Sequence, residues 1–127
     1  MTAKAVSSDG APGALGPYSQ AVEVDGWLIL SGQIGLDPAS GELVGDDTVS
    51  QAGRALDNCA AVLEAAGLDL AAVVKVTLYL VDLGDFAAVN EIYAQRFVEP
   101  YPARVTVGVA ALPKGARIEV EMAARRP

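Results

Sequence analysis

Two side chains stand out as able to do chemistry together. Arg104 opens the alternating run Arg104-Val-Thr-Val-Gly-Val109 directly after Pro102-Ala103, and Glu119 sits in a second such run, Ile118-Glu-Val-Glu-Met122. A guanidinium offers a planar fork of N–H donors that grips a carboxylate with two parallel bonds. The period of two sets Val105, Val107 and Val109 on one sheet face and Arg104, Thr106 and Gly108 on the other. It likewise sets Ile118, Val120 and Met122 opposite Arg117, Glu119 and Glu121. Arg104 and Glu119 are therefore predicted to point away from a shared aliphatic core. Most charged strand residues are simply solvated, so alternation alone leaves a solvated pair and a binding site both open. Leu112-Pro-Lys-Gly115 supplies the turn between the two runs.

Composition narrows the chemistry further. The 127 residues carry a formal net charge of −7, no histidine and one cysteine. A chain this acidic repels phosphate backbones unless its cations are segregated, and the only basic cluster is Arg125-Arg126. Neither a Ser–His nucleophile pair nor a His- or Cys-based metal site can be built, so no cofactor and no metal are expected. Catalysis would rest on carboxylates, an arginine, hydroxyls, backbone groups and water. Cys59 has no partner for an internal disulfide and falls on the apolar side of a helical pattern, which reads as core. No apolar run approaches the ~18 residues of a membrane span, and the first residues lack the apolar segment of a signal peptide. A cytoplasmic, soluble protein with no membrane or nucleic-acid partner is expected.

The elements that must position these side chains follow from local patterns. Gln20–Val24 and Trp27–Ser31 flank Asp25-Gly26, a two-residue hairpin signal. The second run is apolar on both faces, with Trp27 and Ile29 opposite Leu28 and Leu30. Residues 33–47 read as a loop. Thr48-Val-Ser-Gln51 reads as a capping box opening a helix over 48–66, closed by Gly67. In the strand over 73–80, Val74, Val76, Leu78 and Leu80 are predicted to share one face, and Val73, Lys75, Thr77 and Tyr79 the other. A second helix runs from about Asp85, read as its N-cap, to Phe97, with Phe86, Val89, Tyr93 and Phe97 on its apolar face and Asn90 one step away. The order β-β-α-β-α-β-β predicts one α+β domain over 1–127, a mixed sheet with two helices on one face. Two helices cover only that face. The other keeps Trp27, Ile29, Val73 and Tyr79 beside Arg104, Thr106 and Glu119, so a second subunit is expected to cover it.

The run Pro-Ala-Arg, three alternating valines, Leu-Pro-Lys-Gly-Ala and Ile-Glu-Val-Glu resembles the C-terminal signature of the RidA (YjgF-type) family of enamine/imine deaminases. The likeness extends through Gly16-Pro-Tyr-Ser-Gln20, Ser31-Gly-Gln-Ile34 and Asp82-Leu-Gly-Asp-Phe86. It implies a chorismate-mutase-like fold, a homotrimer, and active sites in clefts between subunits. It implies that Arg104 grips the substrate carboxylate and that Glu119 positions the attacking water and takes its proton. Tyr18, Ser31 and Asn90 match pocket-lining positions, and Gly32 and Thr106 match positions where backbone groups approach the ligand. The implied substrates are small 2-imino acids such as 2-iminobutanoate and 2-iminopropanoate, derived from 2-aminoacrylate and related enamines and hydrolysed to 2-keto acids and ammonia. Thr106 stands where many relatives have cysteine, Gly35 where proline is frequent, and Val105 where serine is frequent; the Arg–Glu pair is intact. Two other readings share the resemblance: a non-catalytic trimer that binds a carboxylate metabolite or a protein partner, and an RNA-directed activity. The acidic charge and the absence of histidine argue against the latter.

Overall fold

The computed structural model describes residues 2–127. Asp25 and Gly26 take left-handed backbone (φ 52° and 80°), the geometry a two-residue hairpin turn requires, and pair β2 (Ala21–Val24) with β3 (Trp27–Leu30). The remaining strands are β1 (Lys4–Val6), β4 (Gln33–Ile34), β5 (Val73–Leu80), β6 (Ala103–Gly108) and β7 (Ile118–Arg125). Their order is β1-β2-β3-β7-β5-β6, with β4 also paired to β7. Only β5 and β6 run parallel, because α2 (Phe86–Arg96) forms the crossover between them. The fold is thus α+β, a mixed sheet with two helices, as the patterns predict. β1 falls within residues 1–15, which by sequence read as a loop or a short entry strand, and the two-residue β4 is an addition in the segment read as loop.

α1 (Thr48–Ala65) buries Ala52, Ala55, Leu56, Cys59, Val62 and Leu63 against Leu28, Leu30, Val76, Leu78, Ile118 and Val120 of the sheet. Gly67 closes it with φ 76°, its N–H donating to the Glu64 carbonyl and that of Leu68 to the Leu63 carbonyl. The predicted capping box is displaced by one residue. Asp47, not Thr48, is the cap, its carboxylate accepting from the Ser50 N–H at 2.8 Å. That frees Thr48 and Gln51 for longer-range work. The Thr48 hydroxyl donates to Asp85 (2.6 Å) and accepts from Arg117 Nε (2.8 Å), while Gln51 accepts from the Arg117 N–H (2.7 Å). Asp85 accordingly makes no cap bond to α2; with Arg117 Nη2 at 3.1 Å it ties α1, α2 and β7 together.

Two predictions about strand faces are overturned. A bulge between Val73 and Lys75 puts Val73 into the core and leaves Val74 exposed, so the alternation predicted for β5 holds only from Lys75 onward. The second concerns β6. Its register pairs Arg104 with Val76 and Thr106 with Leu78, both core residues, and pairs Val105 with Thr77 and Val107 with Tyr79. Arg104 and Thr106 therefore face the helices. Val105 and Val107, at 43% and 37% exposure, lie on the open face with Trp27 (41%) and Ile29 (44%). Aliphatic identity misassigned the strand because β6 is the edge strand, where the helix layer thins and α2 covers a cation instead of a valine.

Candidate functional site

Glu119 lies on the open face, opposite Ile34 in β4 and Tyr79 in β5. The expectation that Arg104 and Glu119 share a face is thereby corrected. One strand separates β6 from β7, roughly 10 Å at the usual spacing, and the two side chains leave the sheet in opposite directions. Within one chain the candidate residues form two separate half-sites.

The first half-site is a cleft of ≈ 680 Å³ that includes Tyr18, Ser31, Gly32 and Glu119 among its lining residues, with Leu15 and Ile34 as apolar wall. The Gln20 side chain holds the segment before Tyr18 in place: it accepts from the Ser8 N–H (2.6 Å) and donates to the Pro12 carbonyl (2.7 Å). Ser31 is fixed by donation from its hydroxyl to the Ser19 carbonyl at 2.6 Å, so its hydroxyl is already engaged. Gly32 is where the carboxylate needs room. A Cβ there would come within 2.2 Å of Glu119 Oε2, which makes the missing side chain a condition for this glutamate rotamer. Burial, and secondarily the charge of Glu121, raise the Glu119 carboxyl above its ordinary range. Glu121 itself is occupied, accepting from the Tyr79 hydroxyl. A half-buried carboxylate with raised proton affinity is suited to taking a proton from water.

The second half-site is a cleft of ≈ 480 Å³ between α2 and the start of β6, lined by Asn90, Tyr93, Ala94, Tyr101, Pro102 and Arg104. The Arg104 guanidinium lies 4.7 Å from the Tyr93 ring centroid and 5.4 Å from that of Phe86. Among the described residues it pairs with no carboxylate, as is also true of Arg54 and Arg125, whereas Arg96 and Arg126 each have one and Arg117 has two. Thr106, two residues along the same face, carries a buried hydroxyl without a hydrogen-bond partner. The aromatic setting of Arg104 escaped the sequence reading, although the i, i+7 spacing of Phe86 and Tyr93 was its available signal. Cys59 is fully buried and its thiol is pushed up to about 12 by that burial, so it is no nucleophile.

A mixed sheet with two helices defines the class, a small α+β protein, here with an arginine free of carboxylate partners on one side of the sheet and a carboxylate of raised proton affinity on the other. The particular family is shown by comparison. The family model described as Endoribonuclease L-PSP matches residues 8–126, and the chain belongs to that family, the RidA/YjgF family. It is 53% identical over 121 residues to the human 2-iminobutanoate/2-iminopropanoate deaminase, covering 95% of this chain and 88% of that protein. It is 54% identical over 123 residues to protein DfrA of Myxococcus xanthus, covering 95% and 94%. Among solved structures, E. coli TdcF with bound serine superposes with a TM-score of 0.92 at 42% identity, over 98% of this chain and 99% of that one.

Proposed function

We propose that the protein is a 2-imino acid deaminase, converting 2-iminobutanoate, 2-iminopropanoate and related imines to 2-keto acids and ammonia. The observation that carries this reading is the unpaired Arg104 guanidinium, set over two aromatic rings in a chain of net charge −7. Deaminase names among relatives at about 50% identity support it, as does the amino acid bound in the TdcF structure.

Because the two half-sites face opposite ways in one chain, the reading needs a second copy. In a homotrimer, the Arg104 cleft at the β6 edge of one protomer meets the Glu119 cleft on the open face of its neighbour. Arg104 holds the substrate carboxylate bidentately, with Tyr18, Ser31, Asn90 and the backbone around Gly32 and Thr106 lining the rest. Such fixation contributes up to ~7–11 kcal/mol of barrier reduction. Glu119 takes a proton from water as the oxygen bonds to C2 and the C=N electron pair moves to nitrogen. The proton is then returned to that nitrogen, the C–N bond breaks, and loss of the hydroxyl proton leaves a 2-keto acid and ammonium. General-base assistance of this kind is worth ~10²–10⁴-fold. The iminium carbon is electrophilic by itself.

The RNA-directed activity in the family's description finds little support in the charges. Arg126 is bound bidentately to Glu23 at 2.7 and 2.9 Å, and Arg125 stacks over Trp27, so the one basic cluster is engaged. The test supplies 2-aminoacrylate generated in situ and follows keto-acid and ammonia release. Arg104→Ala is expected to lose the rate enhancement over the spontaneous reaction. Retention of the full rate would refute the assignment, and saturable keto-acid binding without any turnover by the parent protein would favour the carboxylate-binding alternative.

A further inference from the structure

We propose that Tyr93, with Phe86, is a positioning residue for Arg104: the two rings of α2 clamp the faces of the guanidinium so that its in-plane N–H groups remain free for a substrate carboxylate. The proposal rests on Arg104 being the carboxylate grip. Phe86, Asn90 and Tyr93 fall at i, i+4 and i+7, along one stripe of α2, and that stripe lies over Arg104. A cation over a ring face is held by the ring's negative quadrupole, an interaction that uses none of its hydrogen-bond donors. An ion pair in the same place would hold the arginine equally well but would occupy the fork. Aromatic fixation is thus the way to fix an arginine while leaving it unsatisfied.

Tyr93 is suited to this because it is itself immobile. It is only 6% exposed, and its ring packs on Phe97 with centroids 4.5 Å apart and planes at 32°. Its hydroxyl is buried without a hydrogen-bond partner among the described residues, so the comparison of Tyr93→Phe with Tyr93→Leu separates the ring from the phenol. Phe86, more exposed, closes the guanidinium from the other end of the stripe.

The experiment compares Tyr93→Phe, Tyr93→Leu and Phe86→Leu in turnover of 2-iminopropanoate generated in situ and in calorimetric binding of pyruvate. Tyr93→Phe keeps the ring and is expected to stay within about 2-fold of the parent in both readouts. Tyr93→Leu is expected to raise KM and the pyruvate Kd about 3–10-fold while kcat changes much less. Phe86→Leu, at a half-exposed position that tolerates substitution, is expected to move both in the same direction and decides the matter if Tyr93→Leu does not fold. Unchanged KM and Kd in the leucine variants, with Arg104→Ala inactive, would overturn the clamp alone. Unchanged binding and turnover in Arg104→Ala would overturn the functional reading beneath it.

Discussion

At the residue scale, the site depends on where a carboxylate is allowed to be. The Glu119 carboxyl is raised because folding buries it, and the charge of Glu121 adds to this. Its proton is held more tightly in the folded than in the unfolded chain, so stability falls as pH rises from the ordinary value of 4.5 through the raised one. Glu119→Gln removes that burden. It is expected to raise Tm at neutral pH, to show no such gain below pH 4.5 where both states are protonated, and to lose ~10²–10⁴-fold in kcat. A Tm gain independent of pH would contradict the assignment of the raised carboxyl. Gly32→Ala tests the same carboxylate sterically. The nearest atoms its Cβ would meet all belong to the Glu119 side chain, which can swing away, so the fold should survive with Tm nearly unchanged, while deaminase activity falls at least tenfold as the proposed general base is displaced. Wild-type activity in that variant would show that the rotamer does not matter. The sequence shows that Arg104 and Glu119 are chemically capable, but not how they are divided. Period-two alternation assigns residues to faces relative to their own strand, and nothing in the pattern says which face of an edge strand meets the helices.

At the element scale, the same limitation explains what was legible and what was not. Both helices, the Asp25-Gly26 hairpin and the C-terminal strands follow from periodicity and turn chemistry, which are local. The bulge at Val73–Lys75, the shift of the cap from Thr48 to Asp47 and the use of Asp85 against Arg117 depend on partners dozens of residues away. Thr48 looks like a cap because threonine suits one, yet its hydroxyl is committed to Asp85 and Arg117, and Asp47 takes its place. Gly35 is a second case. Here a Cβ would lie 2.6 Å from both the Cα and the carbonyl oxygen of Gln51, backbone that cannot swing away. Gly35→Ala must therefore push α1 from β4, and it is expected to cost ~1–3 kcal/mol in chemical denaturation. The two glycines differ: Gly35 makes room for the α1 backbone, and Gly32 for the Glu119 carboxylate proposed as general base. A Gly35→Ala variant as stable as the parent would show that α1 has slack the structure does not suggest.

At the scale of the whole molecule, the proposed homotrimer is what would complete the divided site. Trp27 and Ile29 on β3 and Val105 and Val107 on β6 leave apolar side chains exposed on the open sheet face, and the residues proposed for catalysis cannot meet without a second chain. The central claim is that Arg104 and Glu119 of different protomers act on one substrate, and subunit mixing tests it directly. Arg104→Ala and Glu119→Gln chains, each inactive alone, are unfolded together in equal amounts and reassembled. With random assembly in a ring, about a quarter of the sites pair an intact arginine with an intact glutamate. The account predicts recovery of about a quarter of parental deaminase activity. Reassembled oligomers as inactive as their parents would contradict it, because the two side chains would then have to act from the same chain.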